Sequence, residues 1–268
     1  MITKTHKGTA LITGASSGIG AVYADRLARR GYDLILVARD LKRLDALATE
    51  LSTKTGSKVT VLKADLSVTA DLRMIEARLA TDSSITMLVN NAGLGATKSL
   101  VDSEPADLDA LIIVNVLALT RLTRAVAPGL VARGNGIIVN VSSMAALAPE
   151  VLNGTYAGTK AYVLTLTHSL HHEIGAKGVQ VQAVLPGATN TPFWDRAGLP
   201  ISNLPSAIVM TADDLVDAAL AGLDLGEVVT IPSLPDIADW NQHEASRMAM
   251  GPNLSRNTPA ARYATLKS

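Results

Sequence analysis

Short apolar runs recur along the chain at 9–13, 34–37, 59–62, 87–89, 137–141, 179–184 and 228–231. Strands without a polar alternation are the kind buried on both faces of a sheet. Between them lie longer stretches with apolar residues at helical spacing, near 19–30, 41–55, 69–80, 104–132, 154–176 and 211–222. In the first, Ala21, Val22, Ala24, Leu27 and Ala28 mark one buried side. Strand and helix in alternation predict an α/β fold, a doubly wound parallel sheet with helices on both faces. We expect one domain over 1–268. Two stretches break the rhythm. Residues 186–210 are rich in Pro and Gly, lack a period and are too long for an ordinary connection. From 232 the chain is again irregular, with prolines at 232, 235, 252 and 259. Within it, 236–250 reads as a helix using Ile237, Trp240, Glu244 and Met248, stopped by Gly251-Pro252.

Ligands of open α/β sheets lie outside the carboxyl ends of the strands. Gly14, Ala38-Arg39, Asp65, Asn91-Ala92-Gly93, Ser143 and Pro186-Gly187 each fall just after a strand run, so they converge on one sheet edge. The first of these turns is TGASSGIG, residues 13–20, with G-x-x-x-G-x-G spacing. A strand before it and a helix after it supply the context of a dinucleotide-binding turn. Gly14 permits a tight bend. Gly18 and Gly20 let the backbone approach a pyrophosphate and the helix pack closely, with free amides facing the anion. The plain alternative is a tight connection with no ligand.

Tyr156 and Lys160 are four residues apart, and Ser143 lies thirteen residues before the tyrosine. Positions i and i+4 share a helix face, so a phenol and an ammonium stand together, with a strand-end hydroxyl able to join them. This is equipment for moving a proton on and off an alcohol oxygen. A free Tyr has a pKa of about 10, and a base working near neutrality needs roughly 3–4 kcal/mol of help. One ammonium at about 4 Å supplies around 4 kcal/mol at an effective dielectric of 20. Tyr156 would then act as acid and base, and Ser143 would stabilise charge on the reacting oxygen. Gly158 inside the motif weakens the helix by about 1 kcal/mol.

TGASSGIG at 13–20, NNAG at 90–93, Asn115, Ser143, Tyr156-x-x-x-Lys160 and Pro186-Gly187 resemble, in order and spacing, the short-chain dehydrogenase/reductase family. The resemblance covers roughly residues 8 to 230. It implies a Rossmann-type fold and an NAD(P)-dependent oxidoreductase acting on CH–OH and C=O groups. Carried over residue by residue, it implies catalytic roles for Asn115, Ser143, Tyr156 and Lys160. It implies cofactor contacts from Gly14, Ser16, Ser17, Gly18, Ile19, Gly20, Arg39, Asp65, Leu66, Asn91, Ala92, Gly93, Tyr156, Lys160, Pro186, Gly187 and Thr189. The lysine would also bind the nicotinamide ribose. Asn115 would hold water in a proton relay to Lys160; on its own residues, Asn115 in an apolar helix could equally bond locally to backbone. Asn90 and Asn91 would brace the sheet while Gly93 lets the backbone near the cofactor. Family members are commonly dimers or tetramers through the helices here at 104–132 and 154–176.

The choice of dinucleotide turns on the end of the second strand, where NAD readers carry an acid and NADP readers favour a nearby Arg. Ala38 holds the acidic position and Arg39 follows, with Lys42 and Arg43 adding to the field. A guanidinium pairs bidentately with a 2′-phosphate, so NADP(H) is expected over NAD(H). Against it stand a solvated Arg39 and an Asp40 that could turn inward to the ribose hydroxyls. Asp65 could meet the adenine or simply cap the next helix.

The chain has one Phe and two Trp, and Phe193-Trp194 fall in the aperiodic 186–210 segment. They suggest a substrate loop closing over an apolar molecule; loop anchoring is the alternative. His168, His171, His172 and Glu173 lack a further ligand cluster, so no metal is expected. Lys plus Arg equals Asp plus Glu at 24 each, which gives no basic field for nucleic acid or an acidic membrane. With no Cys, no disulfide framework exists. No signal-like core opens the chain and no run approaches about 18 apolar residues, so a cytoplasmic protein without a membrane partner is expected. The 232–268 extension is expected to pack over the substrate side or a neighbouring subunit of a homodimer or homotetramer. The sequence reading is thus an NADP-dependent oxidoreductase interconverting an alcohol with a ketone or aldehyde. Rivals are a family member using NAD, a sugar-nucleotide epimerase or dehydratase, disfavoured by the glycine spacing, and a cofactor sensor without turnover.

Overall fold

Each apolar run forms a strand: β1 (Thr9–Thr13), β2 (Asp33–Ala38), β3 (Val59–Lys63), β4 (Ile85–Asn90), β5 (Gly136–Val141), β6 (Val179–Val184) and β7 (Val229–Thr230). In the computed structural model they make one seven-stranded sheet, ordered β3-β2-β1-β4-β5-β6-β7, with every pairing parallel. The structure describes residues 6–266, with side chains to Tyr263. The first five residues of the segment read for a signal peptide, and the last two of the extension, lie outside the described residues.

The helices are α1 (Gly18–Arg29), α2 (Leu41–Thr55), α3 (Thr69–Thr81), α4 (Pro105–Ile112), α5 (Leu119–Arg133), α6 (Gly154–Ile174), α7 (Phe193–Ala197), α8 (Ala212–Asp224) and α9 (Ile237–Ala249). Successive strand residues point to opposite faces, which divides the core in two. On one face Ala10, Ile12, Leu36 and Val89 pack with Tyr23, Leu27, Leu44 and Leu220 from α1, α2 and α8. On the other, Leu11, Ile35, Leu88 and Val181 pack with Leu72, Ile75, Leu122 and Val126 from α3 and α5. Each such side chain contributes about 1.5–3 kcal/mol on burial, so both faces must stay apolar or paired. Buried amides link the layers across the sheet. Asn90 Nδ2 donates to Thr123 Oγ1 and to Asn140 Oδ1, both at 2.9 Å, and Asn140 Nδ2 donates to Thr167 Oγ1 at 3.0 Å.

Three findings depart from or refine the sequence reading. The helix expected over 104–132 is α4 and α5 joined by a wide π-type turn, Ile113–Ala118, that contains Asn115. The stretch Pro105–Arg133, though interrupted by Asn115, Arg121 and Arg124, is also long and apolar enough to cross a membrane by length and composition, with an 18-residue window of mean hydropathy 1.7. Its α5 part packs against β4 and β5 in the core. The aperiodic 186–210 segment, third, carries local structure: α7 and two 3-10 turns, Ile201–Asn203 and Ser206–Ile208. Its two ends are pinned, Asn190 N to Met210 O and Met210 N to Ala188 O, both at 2.9 Å.

The chain divides into two compact units, one running to Pro232 and the other from Ser233. The division falls at the start of the expected extension. In the second unit α9 forms where read: Asp236 caps it, accepting from Ala238 N at 2.8 Å, and Trp240 stacks on His243 at 5.3 Å. The chain then turns at Gly251–Asn253.

Candidate active site

The strand order reverses between β1 and β4, the place where an open α/β sheet leaves a ligand crevice outside its carboxyl ends. Gly14 follows β1 there with φ +66°, in the left-handed region. A Cβ there would come within 2.8 Å of Asn91 Nδ2 and 2.9 Å of Ala92 Cα. Gly20 lies against the Gly14 carbonyl more tightly than any Cβ allows. Asn91 holds this turn, its amide donating to Thr13 O at 2.9 Å and Gly14 O at 3.2 Å. Thr13 Oγ1 in turn accepts from Asn91 N and Ala92 N, both at 3.0 Å. Asn91 and Ala92 therefore brace the Gly-rich turn, while Asn90 ties β4 to β5 and α5. Ser16 and Ile19 line the same turn, half-buried. Ser17, at the N-cap of α1, makes no capping bond, and no acid stands in the first turn. The N–H groups there are free to meet an anion.

Ser143 follows β5 in extended backbone, and Tyr156 and Lys160 occupy the first turns of α6. Asn153 starts that helix, its Oδ1 accepting from Thr155 N at 2.9 Å and Tyr156 N at 3.1 Å. All three candidate side chains are buried. The Lys160 ammonium donates to Val141 O at 3.0 Å and lies 5.8 Å from the Tyr156 ring centroid. Burial pushes the Tyr156 phenol up to about 12, opposed by a hydrogen bond with Ser143. Burial pulls Lys160 down to about 8. This corrects the expectation of a phenol lowered by an ammonium about 4 Å away: both groups lose water, and the lysine faces a backbone carbonyl.

Asn115 is nearly fully buried and spends its amide on a distant backbone. Its Oδ1 accepts from Leu94 N at 2.8 Å, while Nδ2 donates to Leu94 O at 2.9 Å and Thr159 Oγ1 at 3.1 Å. A Cβ on Gly93 would lie 3.3 Å from Asn115 Oδ1 and 3.4 Å from Lys160 Nζ, so these residues meet at one point.

The β2 end resolves one open alternative. Asp40 caps α2, its Oδ1 accepting from Arg43 N at 3.1 Å. Arg39 is largely exposed, with Nη1 3.9 Å from Asp65 Oδ2. Asp65 accepts from Ser67 N at 2.9 Å and Ser67 Oγ at 2.6 Å. Burial raises its pKa, but those bonds and the Arg39 charge hold it below the usual value. Leu66 turns into the core.

The 186–210 segment lies over this edge. Pro186 O accepts from Met144 N at 2.9 Å, linking the Pro186-Gly187 turn to the Ser143 loop. Thr189 is buried with Oγ1 donating to Gly187 O at 3.1 Å. The residue that meets the Gly-rich turn is Thr191, whose Cγ2 is 2.9 Å from the Cβ position of Gly18. Arg196 Nη2 donates to Ser17 Oγ at 3.1 Å. Sequence reasoning missed Thr191 and Arg196; a second Thr two residues after Thr189 was the available signal for the first. The adjacent aromatics part company. Trp194 is the anchor, its Nε1 donating to Thr189 O at 3.0 Å. Phe193 faces the chemistry, its centroid 6.1 Å from that of Tyr156 and its ring filling the space a side chain on Gly95 would need.

Residues 8–199 match the model of the short chain dehydrogenase family. A short-chain dehydrogenase from Sphingobium yanoikuyae, solved in complex with NADPH, is 48% identical with a TM-score of 0.93 over 96% of this chain and 99% of that one. The bulky-bulky ketone specific alcohol dehydrogenase from Comamonas testosteroni is 44% identical with a TM-score of 0.89, over 97% and 99%. An uncharacterized oxidoreductase of Staphylococcus epidermidis is 31% identical over 78% of this chain and 92% of its own.

Proposed function

This chain belongs to the short-chain dehydrogenase/reductase family, and we propose that within it the protein is an NADP-dependent oxidoreductase interconverting an alcohol and a ketone. The observation that carries the reading is the buried set of Tyr156, Ser143 and Lys160, with the Ser143 hydroxyl acting on the phenol and the ammonium 5.8 Å from its ring, at the edge of the sheet where the Gly-rich turn lies. The turn suits a dinucleotide: its amides are uncapped and its close approaches exclude side chains. Gly14, Ser16, Ser17, Gly18, Ile19 and Gly20 would hold the pyrophosphate. Asn91, Ala92, Gly93, Pro186, Gly187 and Thr189, with Thr191 beside them, would surround the nicotinamide half, and Arg39 the 2′-phosphate, with Asp65 and the Leu66 backbone near the adenine. The S. yanoikuyae complex with NADPH supports that choice, as does the commitment of Asp40 to capping α2.

A nicotinamide held there would supply or accept the hydride. Tyr156, a phenol already protonated at neutral pH and raised further by burial, donates to the carbonyl oxygen during reduction and withdraws that proton during oxidation. Ser143 donates a hydrogen bond to the same oxygen as charge develops. Lys160 stabilises the phenolate and binds the nicotinamide ribose, and Asn115 holds the water that resupplies its proton. An apolar ketone with two sizeable substituents is the favoured substrate, supported by Phe193 facing Tyr156 and by the likeness to the C. testosteroni enzyme. We place the protein in the cytoplasm as a homodimer or homotetramer; exposed Ile112, Leu117 and Tyr162 around α4, α5 and α6 support the assembly. The test is a screen of bulky ketones followed by loss of NADPH absorbance. Turnover by the native protein and none by Tyr156→Phe is expected. Tight NADPH binding without turnover across the panel would overturn the enzyme in favour of a sensor.

A further inference from the structure

Arg196 is the only cationic residue within 186–210. Its Nε donates to Pro192 O at 3.0 Å, which orients the guanidinium plane, and its Nη2 donates to Ser17 Oγ at 3.1 Å. No carboxylate pairs with it among the described residues. Ser17 is the N-cap of α1 but bonds this guanidinium instead of its own helix. The cation therefore stands one hydroxyl away from the uncapped N–H groups of α1. Three residues earlier on the same short helix, Phe193 lies 6.1 Å from Tyr156 between centroids. Positions i and i+3 share a helix face, so α7 reaches the phosphate end and the reacting end of the crevice together.

We infer that Arg196 is a cofactor-binding residue: its guanidinium takes a pyrophosphate oxygen of the dinucleotide beside Ser17, and so holds α7 with Phe193 over Tyr156. The inference rests on the dinucleotide reading above and adds to it a contact from the substrate loop. The pyrophosphate is the group in reach because Ser17 belongs to the turn after β1, whereas the 2′-phosphate belongs with Arg39 after β2. A planar fork suits adjacent phosphate oxygens better than a lysine does.

The test is equilibrium binding of NADPH and NADH to the native protein, Arg196→Gln, Arg196→Lys and Arg39→Gln, by calorimetry, with melting curves to confirm folding. Arg196→Gln should weaken both nucleotides by the same factor, about tenfold for a charge-assisted bond at an exposed site. Arg196→Lys should recover part of the loss, and Arg39→Gln should weaken NADPH alone. Amide exchange at 193–198 should slow on adding NADPH to the native protein but not to Arg196→Gln. Equal affinities of native protein and Arg196→Gln overturn the inference. So does a loss confined to NADPH, which would assign Arg196 to the 2′-phosphate, and so does exchange that slows equally in both. Native protein that binds neither nucleotide would instead sink the dinucleotide reading, and the role of Arg196 with it.

Discussion

Lys160→Met should make the protein's stability depend on pH in a way that isolates the buried charge. Lys160 titrates at about 8 in the fold against an ordinary 10.5. Each pH unit between those values is worth about 1.4 kcal/mol, so carrying this ammonium costs the folded state about 3 kcal/mol at neutrality. The sign follows from proton binding. Between pH 8 and 10.5 the unfolded chain holds a proton that the folded chain has released, so native stability rises with pH across that window and the cost fades. At about pH 10 roughly 1 kcal/mol of it remains. The thioether of the Lys160→Met variant carries no such charge. The substitution does strand Val141 O, which accepts from the ammonium at 3.0 Å; that loss is about 1–3 kcal/mol and does not vary with pH.

The net effect of the substitution at neutral pH is therefore small, while its change with pH is large. Urea unfolding of both proteins at unit steps from about pH 7 to about pH 10 measures it. The native protein should gain about 2–3 kcal/mol on the variant across that range. Tyr156 works the other way, since a phenol raised to about 12 loses stability as pH climbs from 10 to 12, but it is present in both proteins and cancels. Two stability curves that run parallel across the window would refute a buried, depressed lysine. Below pH 8 the ammonium is charged, so the same measurement sets the range in which it can steady a phenolate.

Gly158→Ala should stabilise the protein by about 1 kcal/mol in urea unfolding, because nothing lies within 4 Å of the added Cβ and Ala is the better helix former. Phe193→Ala should raise KM for bulky ketones with NADPH affinity lowered little, and Gly95→Ala, which displaces the same ring, should do likewise. The two should be non-additive when combined; unaltered kinetics in both would remove Phe193 from the substrate site. Asp40→Ala should cost about 1 kcal/mol as a lost N-cap and leave the ratio of NADPH to NADH affinity unchanged. A shift of that ratio would restore Asp40 as a ribose ligand.

Most of the fold was legible because its signals are local. Helix α2 begins and ends where read, at Leu41 and Thr55, since Asp40 caps it and Gly56 at φ +73° stops it. Strand β6 matches 179–184 residue for residue. The placement of candidate residues after strand ends was legible for a related reason: a parallel sheet sends every carboxyl end to one edge, whatever the side chains. The wide turn at Ile113–Ala118 was not legible. The apolar period runs through it unbroken, and the bonds Asn115 makes from it, to Leu94, join residues far apart in sequence. Phe193 and Trp194 were read as one unit, but neighbours on a helix point about 100° apart, so one enters the core while the other faces the phenol.

The electrostatics failed for a deeper reason. Spacing placed Tyr156 and Lys160 side by side, and a dielectric of about 20 predicted an attraction large enough to lower the phenol, yet burial raises its pKa. The arithmetic counted what one group does to the other and omitted what burial does to both. Desolvation holds the phenol in its neutral, protonated form and simultaneously removes the water that would otherwise screen the lysine. On this account the site rests as an acid poised for reduction, and its basicity in the reverse direction must come from charge brought beside Tyr156 at the moment of reaction. Oxidation of alcohols should therefore accelerate with rising pH more steeply than ketone reduction slows, read from the two pH profiles of kcat with one substrate pair. Identical slopes would mean that the phenol had been lowered already.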